Sequence, residues 1–146
     1  MEPIGRDAVA LAQCMAIDAD AFPYASVHFG QRAASVRVTV ARDEREGRVV
    51  GFLAGGARRG VLHVHGLAVD RALRRRGVGR ALVRDAAARA RAEGLRALVL
   101  QVGVGNAAAL ALYESEGFYI ARRIRGYYPA SVYGGERDAY QMVFGV

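Results

Sequence analysis

The chain of 146 residues contains no lysine, and all 21 of its basic Lys/Arg positions are arginine. Acylation of its own amines is therefore confined to the N-terminus, and a phosphate loop of the Gly-Lys-Ser/Thr kind is excluded. Cysteine is almost absent as well. The lone Cys14 has no partner for an internal disulfide and reads as a small buried hydrophobe on a helix. No apolar stretch approaches the length needed to cross a bilayer, and the start "MEPIGRDAVALAQ" lacks the basic-then-apolar pattern of a secretory leader. A cytoplasmic protein with no membrane partner is expected. There is no internal repeat, linker or low-complexity tract.

What is present is an ordinary globular balance, 53% hydrophobic and 24% charged, in a length that suits one domain spanning 1–146. The net charge of +7 rests on arginine alone. Abundant alanine points to a G+C-rich coding bias as one source, but a basic balance also favours anionic partners: nucleic acid, acidic peptides or a phosphorylated cofactor. Where the arginines sit decides between them.

Residues 6–22 carry apolar side chains at helical spacing and stop at Phe22-Pro23, and a second short helix is expected over 26–34. "SVRVTVAR" (35–42) alternates as a half-buried strand. The apolar runs 48–55 and 61–69, separated by "GARRG", read as paired antiparallel strands buried on both faces. A helix follows over 77–93, stopped by Gly94, then a strand (96–102), a shorter helix (106–117) and a final pair of strands. The fold class is α/β (α+β), with a mixed sheet.

Residues 74–82 read "RRRGVGRAL". A dinucleotide fingerprint needs glycine at position 82, where the chain has Leu82. What remains is R-x-x-G-x-G between a strand and a helix. Glycines there let backbone approach a ligand, and the free amides and positive dipole end of the helix attract an anion such as a pyrophosphate. A solvated basic helix start is the alternative.

This motif after "LAVD", followed by Asn106 and "ALYESEGF" (111–118), resembles the GNAT superfamily of acetyl-coenzyme A-dependent N-acetyltransferases. "DADAFPY", "GYYP" and the terminal "DAYQM" extend the resemblance to the ribosomal-protein alanine N-acetyltransferase (RimI-type) and N-terminal acetyltransferase group. The resemblance implies a mostly antiparallel sheet with a splayed central strand pair and flanking helices, and acetyl-CoA as co-substrate. It places the pantetheine arm on the backbone of Leu67, Ala68 and Val69, and the pyrophosphate on Arg75, Arg76, Gly77, Val78, Gly79 and Arg80 with Arg74 at the head of the motif. Asn106 would cap the next helix and meet the cofactor. Tyr113 occupies the position of the proton donor to the departing thiolate, and no metal is implied.

RimI-type enzymes carry a glutamate as proposed base where this chain has Gln101, which has no useful basicity. His63 and His65, on the strand before the glycine turn, are the candidate replacements, with His65 preferred; simple alternation sends both toward the same side as Leu67. At pH ~7.5 about a third of α-amines but only about one lysine in a thousand are neutral. Loss of the glutamate therefore favours an α-amine acceptor over lysine. The resemblance to N-terminal acetyltransferases implies that Phe22 and Tyr24, with Gln101, Tyr127 and Tyr128, line the acceptor site; an extended 126–129 would point at most one of the two tyrosines into it. Tyr133, on the following loop, is a further candidate.

The expected activity is acetyl transfer to a protein or peptide N-terminal amine by direct attack, since neither Cys14 nor Ser115 forms a nucleophilic constellation. Association with the ribosome or a nascent chain would suit the basic charge. Two other functions stay open: acetylation of a small-molecule amine, and a non-catalytic acyl-CoA-binding or RNA-binding module, although the aromatic signatures of common RNA modules are missing.

Overall fold

A computed structural model describes residues 1–3, 7–21, 36–129 and 135–146. In chain order its elements are β1 (Glu2–Pro3), α1 (Ala8–Ala21), β2 (Val36–Arg42), β3 (Val49–Arg58), β4 (Val61–Val69), a 3-10 turn (Arg71–Leu73), α2 (Val78–Ala92), β5 (Ala97–Gly103), α3 (Ala107–Ser115), β6 (Tyr119–Ile124) and β7 (Ala139–Gly145). The helix expected at 26–34 lies outside the described residues. One sheet holds all seven strands in the order β1-β2-β3-β4-β5-β7-β6. Among the described residues only the central pair, β4 with β5, is parallel.

Local chemistry sets the boundaries. Asp7 opens α1 by accepting the amides of Val9 and Ala10 at 3.0 Å. The β3–β4 hairpin turns on Arg59 and Gly60, both at positive φ (54° and 77°), the signature of a two-residue primed turn. β3 consequently runs on to Arg58, beyond the break expected at "GARRG". Helices α2 and α3 end alike. Gly94 and Gly117 take positive φ, and Leu95 and Phe118 donate back to Ala90 and Tyr113, closing the last turn of each helix.

Two apolar clusters lie on the two faces of the sheet. On one, Leu82, Val83 and Ala86 of α2 meet Leu98 and Leu100 of β5, Met142, Tyr113 and Phe118. On the other, Ala10, Cys14 and Ile17 of α1 meet Val38, Val40, Phe52 and Ala68. Being covered on both sides, β3 is buried from Val49 through Gly56. The same expectation fails for β4, which alternates between buried and partly open positions. Its pairing to β5 covers only Val61–Ala97, Leu62–Leu98 and His63–Val99. From Val64 onward it has a strand neighbour on one side alone.

β4 also carries a bulge. Ala54 pairs with Gly66 and Gly55 with Val64, so His65 has no opposite number. A Cβ at Gly55 would stand 2.5 Å from the His63 carbonyl oxygen, so glycine is required there. The bulge reverses the facing of the strand: Leu62 and Val64 belong to the α2-side cluster, and beyond it Leu67 and Val69 pack against that same cluster. Simple alternation from His63 to Leu67 is therefore wrong. His63, between Leu62 and Val64, turns to the face opposite Leu67.

Candidate active site

Gly77 is the N-cap of α2 at φ 82°, with no side-chain cap. The first bond of the helix runs from the Ala81 amide to the Gly77 carbonyl at 3.0 Å. The amides of Val78, Gly79 and Arg80 therefore lie before the helical ladder, at its positive dipole end. A Cβ at Gly77 would meet nothing within 4 Å, whereas one at Gly79 would stand 3.3 Å from Leu112 and 3.8 Å from Leu67 and Val69. Glycine at 77 answers the backbone angle; at 79 it lets α2 press onto β4 and α3.

The approach to this turn is tied down. Asp70 accepts the Ala72 amide and Arg48 Nη1 (2.6 Å), and these bonds hold its carboxyl below its usual range, Arg48 foremost. Arg74 Nε donates to the Val69 carbonyl at 3.1 Å, while Arg75 and Arg76 are exposed, Arg75 at φ 65°. Arg80 turns its guanidinium toward Glu116, at 2.7 Å. Three amides and two outward arginines make a cradle that fits a pyrophosphate. The flank of β4 that faces away from β3 has no strand neighbour over Leu67, Ala68 and Val69, and it leads away from the cradle, with the Val69 carbonyl taken by Arg74.

The second half of the site is built at the end of β5. Asn106 caps α3 by accepting the Ala109 amide at 3.2 Å, which leaves its Nδ2 as a donor. Tyr113 is buried at 7% exposure, and burial first, then the neighbouring Tyr128, pushes its phenol up to about 12. The Tyr128 ring lies 3.6 Å from where a side chain at Gly103 would begin. Its backbone is fixed by two bonds with Arg137, at 3.0 and 2.9 Å. Tyr127, exposed, packs edge-on against it at 4.9 Å. The stretch is not a strand: a turn at Arg125–Gly126, with Gly126 at φ 62°, and a bend at Tyr128 precede and accompany the clustered rings, and Tyr128 is the one beside Tyr113.

His63 forms the last β4–β5 pair, with Val99, so both histidines stand where the strands part. Partial desolvation, and then the charge of His63, hold His65 below its usual 6.5, leaving it a neutral acceptor at pH 7. On β5, Leu98, Leu100 and Val102 are buried, and Gln101 lies on the alternate, partly open face. It pairs with Gln141, whose Oε1 accepts Arg122 Nε at 3.1 Å. Phe22, Tyr24 and Tyr133 lie outside the described residues. Cys14 is buried in the opposite cluster, Ser115 donates its hydroxyl to the Leu112 carbonyl, and the described residues contain no group of three metal-binding side chains. No described helix is long and apolar enough to span a membrane.

Sequence reasoning missed Asp70, the bulge at His65 and Glu116. For Glu116 a signal existed: a carboxylate at the end of one helix, with Arg80 and Arg84 one turn apart on the helix before.

Residues 11–118 match the acetyltransferase (GNAT) family. The [ribosomal protein bS18]-alanine N-acetyltransferase of Escherichia coli K12 is 34% identical over 128 residues, which cover 85% of this chain and 82% of that protein. The crystal structure of the ribosomal-protein-S18-alanine N-acetyltransferase from Escherichia coli superposes with a TM-score of 0.82 at 29% identity, over 93% of this chain and 87% of that one. Arabidopsis thaliana NAA60, solved in complex with a bisubstrate analogue, shares the fold with a TM-score of 0.78 at 21% identity, over 94% of each chain.

Proposed function

Because the chain belongs to the acetyltransferase (GNAT) family, and is thus an acetyl-CoA-dependent N-acetyltransferase, we propose that its acceptor is the α-amine of a protein or peptide N-terminus. The observation that carries this reading is the 34% identity, over most of both chains, to an enzyme named for acetylating an alanine of a ribosomal protein. Gln101 supports it, since a site without the glutamate suits an amine already partly neutral near pH 7.

In this reading the pyrophosphate rests on the amides of Val78, Gly79 and Arg80, flanked by Arg75 and Arg76, and the pantetheine arm runs along Leu67, Ala68 and Val69, with the Asn106 Nδ2 as a further donor. The amine attacks the acetyl carbonyl directly; a C–N bond forms, the C–S bond breaks and the thiolate departs toward Tyr113. The proton shed by the amine passes to neutral His65, directly or through a water, and on to solvent. Tyr128 and Tyr127 hold the first residues of the peptide, a task the family resemblance gives to Phe22 and Tyr24 as well. The chain works as a single domain in the cytoplasm, and its arginine-borne charge favours an acceptor presented on the ribosome or a nascent chain.

A panel of peptides with free N-termini and of small amines, assayed for release of coenzyme A thiol, tests the proposal. Turnover on peptides is expected. Strong turnover on small amines alone would overturn it.

A further inference from the structure

Glu116 stands where local physics disfavours it. It is the C-cap of α3, at the negative end of that helix, yet its side chain is only 9% exposed. Two guanidinium groups of α2 compensate. Arg80 Nη1 lies 2.7 Å from Oε1 and Arg84 Nε lies 2.9 Å from Oε2.

The bonds join the two halves of the site. Arg80 is in the first turn of α2, and its backbone amide belongs to the cradle while its side chain reaches α3. The two helices also meet where Gly79 approaches Leu112, with only 3.3 Å between the Leu112 methyl and the place a Cβ would take. Tyr113 lies between Leu112 and Glu116 in sequence, and its carbonyl accepts the amides of Glu116 (3.1 Å) and Phe118 (3.0 Å). The carboxylate that draws in α2 is thus bonded through its own backbone to the residue carrying the phenol.

We propose that Glu116 is a positioning residue: by holding Arg80 and Arg84 it fixes the Tyr113 phenol relative to the amides of Val78, Gly79 and Arg80. This rests on the reading of Tyr113 as the group that meets the departing thiolate. Glu116 touches no reacting atom and acts through the register of α3 on α2. Its loss should therefore lower the catalytic rate while leaving the cradle amides able to bind.

The test is a double-mutant cycle of Glu116→Gln with Tyr113→Phe, read as kcat and as acetyl-CoA affinity by calorimetric titration. Glu116→Gln keeps the shape and should lower kcat about tenfold, with Kd for acetyl-CoA within about threefold. In the Tyr113→Phe background it should change kcat by less than about twofold, because both changes remove one contribution. An equal loss of kcat in both backgrounds, no loss in the parent enzyme, or a loss of affinity matching the loss of kcat would each overturn the proposal. Full activity of Tyr113→Phe alone would overturn the reading of Tyr113 itself, and the proposal with it. Should Glu116→Gln fail to fold, Arg84→Gln removes one of the two partners and runs through the same cycle with the same expectations.

Discussion

Replacing Tyr113 by phenylalanine keeps the ring that packs 5.5 Å from Phe118 and removes only the hydroxyl. With its pKa at about 12, the phenol is a weak acid. Full transfer of its proton to a thiolate of ordinary basicity, pKa about 8.5, would be uphill by roughly 3.5 units, or ~5 kcal/mol. Tyr113 is therefore expected to stabilise the departing sulfur as a hydrogen-bond donor and to keep its proton. Loss of one such preorganised donor costs about 10²-fold in kcat, or ~3 kcal/mol. Thiol release under saturating substrates should show that drop, with acetyl-CoA affinity held within about threefold. Stability below pH 10 should change by less than about 1 kcal/mol, because no buried polar side-chain atom of the described residues lacks a hydrogen-bond partner and the hydroxyl is no unpaired group to be relieved. The sign at alkaline pH follows. The unfolded phenol ionises near 10.0 and the folded one near 12, so the parent protein keeps this stability below pH 10 and loses up to ~2.7 kcal/mol of it as pH rises to 12. Tyr113→Phe should not show that loss. An unchanged kcat, or parallel losses of kcat and affinity, would refute the reasoning and leave Tyr113 a packing residue.

Three other outcomes are expected. Gly55→Ala places a Cβ 2.5 Å from the His63 carbonyl and 3.3 Å from the Val64 backbone; neither yields cheaply, so stability should fall by ~1–3 kcal/mol and kcat with it, and an unchanged Tm would contradict the bulge geometry. His65 has its pKa depressed below 6.5, so the neutral form persists above that pH, and the acid limb of kcat/KM should lie below it. His65→Ala should abolish that limb, and its survival unchanged would remove His65 from the proton path. Asp70→Ala takes an acceptor from Ala72 and leaves Arg48 with Glu46 alone among the described residues; about 1 kcal/mol of stability should be lost, together with several-fold of acetyl-CoA affinity but little kcat at saturation, by calorimetry and steady-state kinetics.

The parts of this protein that could be read from its sequence are those whose physics is local. Gly77, Gly94 and Gly117 mark helix ends because only a residue free of Cβ strain takes those angles easily, and Asn106 caps α3 as its side chain dictates. The splay of β4 from β5 followed from family resemblance alone, since nothing in either strand's composition announces where pairing stops. The bulge at His65 was invisible because register belongs to two strands at once, and it turned His63 away from the side on which alternation had placed it. A turn at Arg125–Gly126 and a bend at Tyr128 likewise stand where alternation of Tyr127 and Tyr128 needed a strand. Glu116 acquires its two arginine partners only where the fold brings α2 against the end of α3.

The central claim, acetyl transfer to an N-terminal α-amine by a site without a glutamate base, is tested most directly by one competition. A library of peptides, each bearing a free N-terminus and an internal lysine, is incubated with the enzyme and acetyl-CoA near pH 7.5, and the modified nitrogen is located by mass spectrometry. The account predicts acetylation confined to the α-amine. Comparable labelling of lysine side chains would contradict it, as would unmodified peptides in the presence of rapid turnover on a small amine.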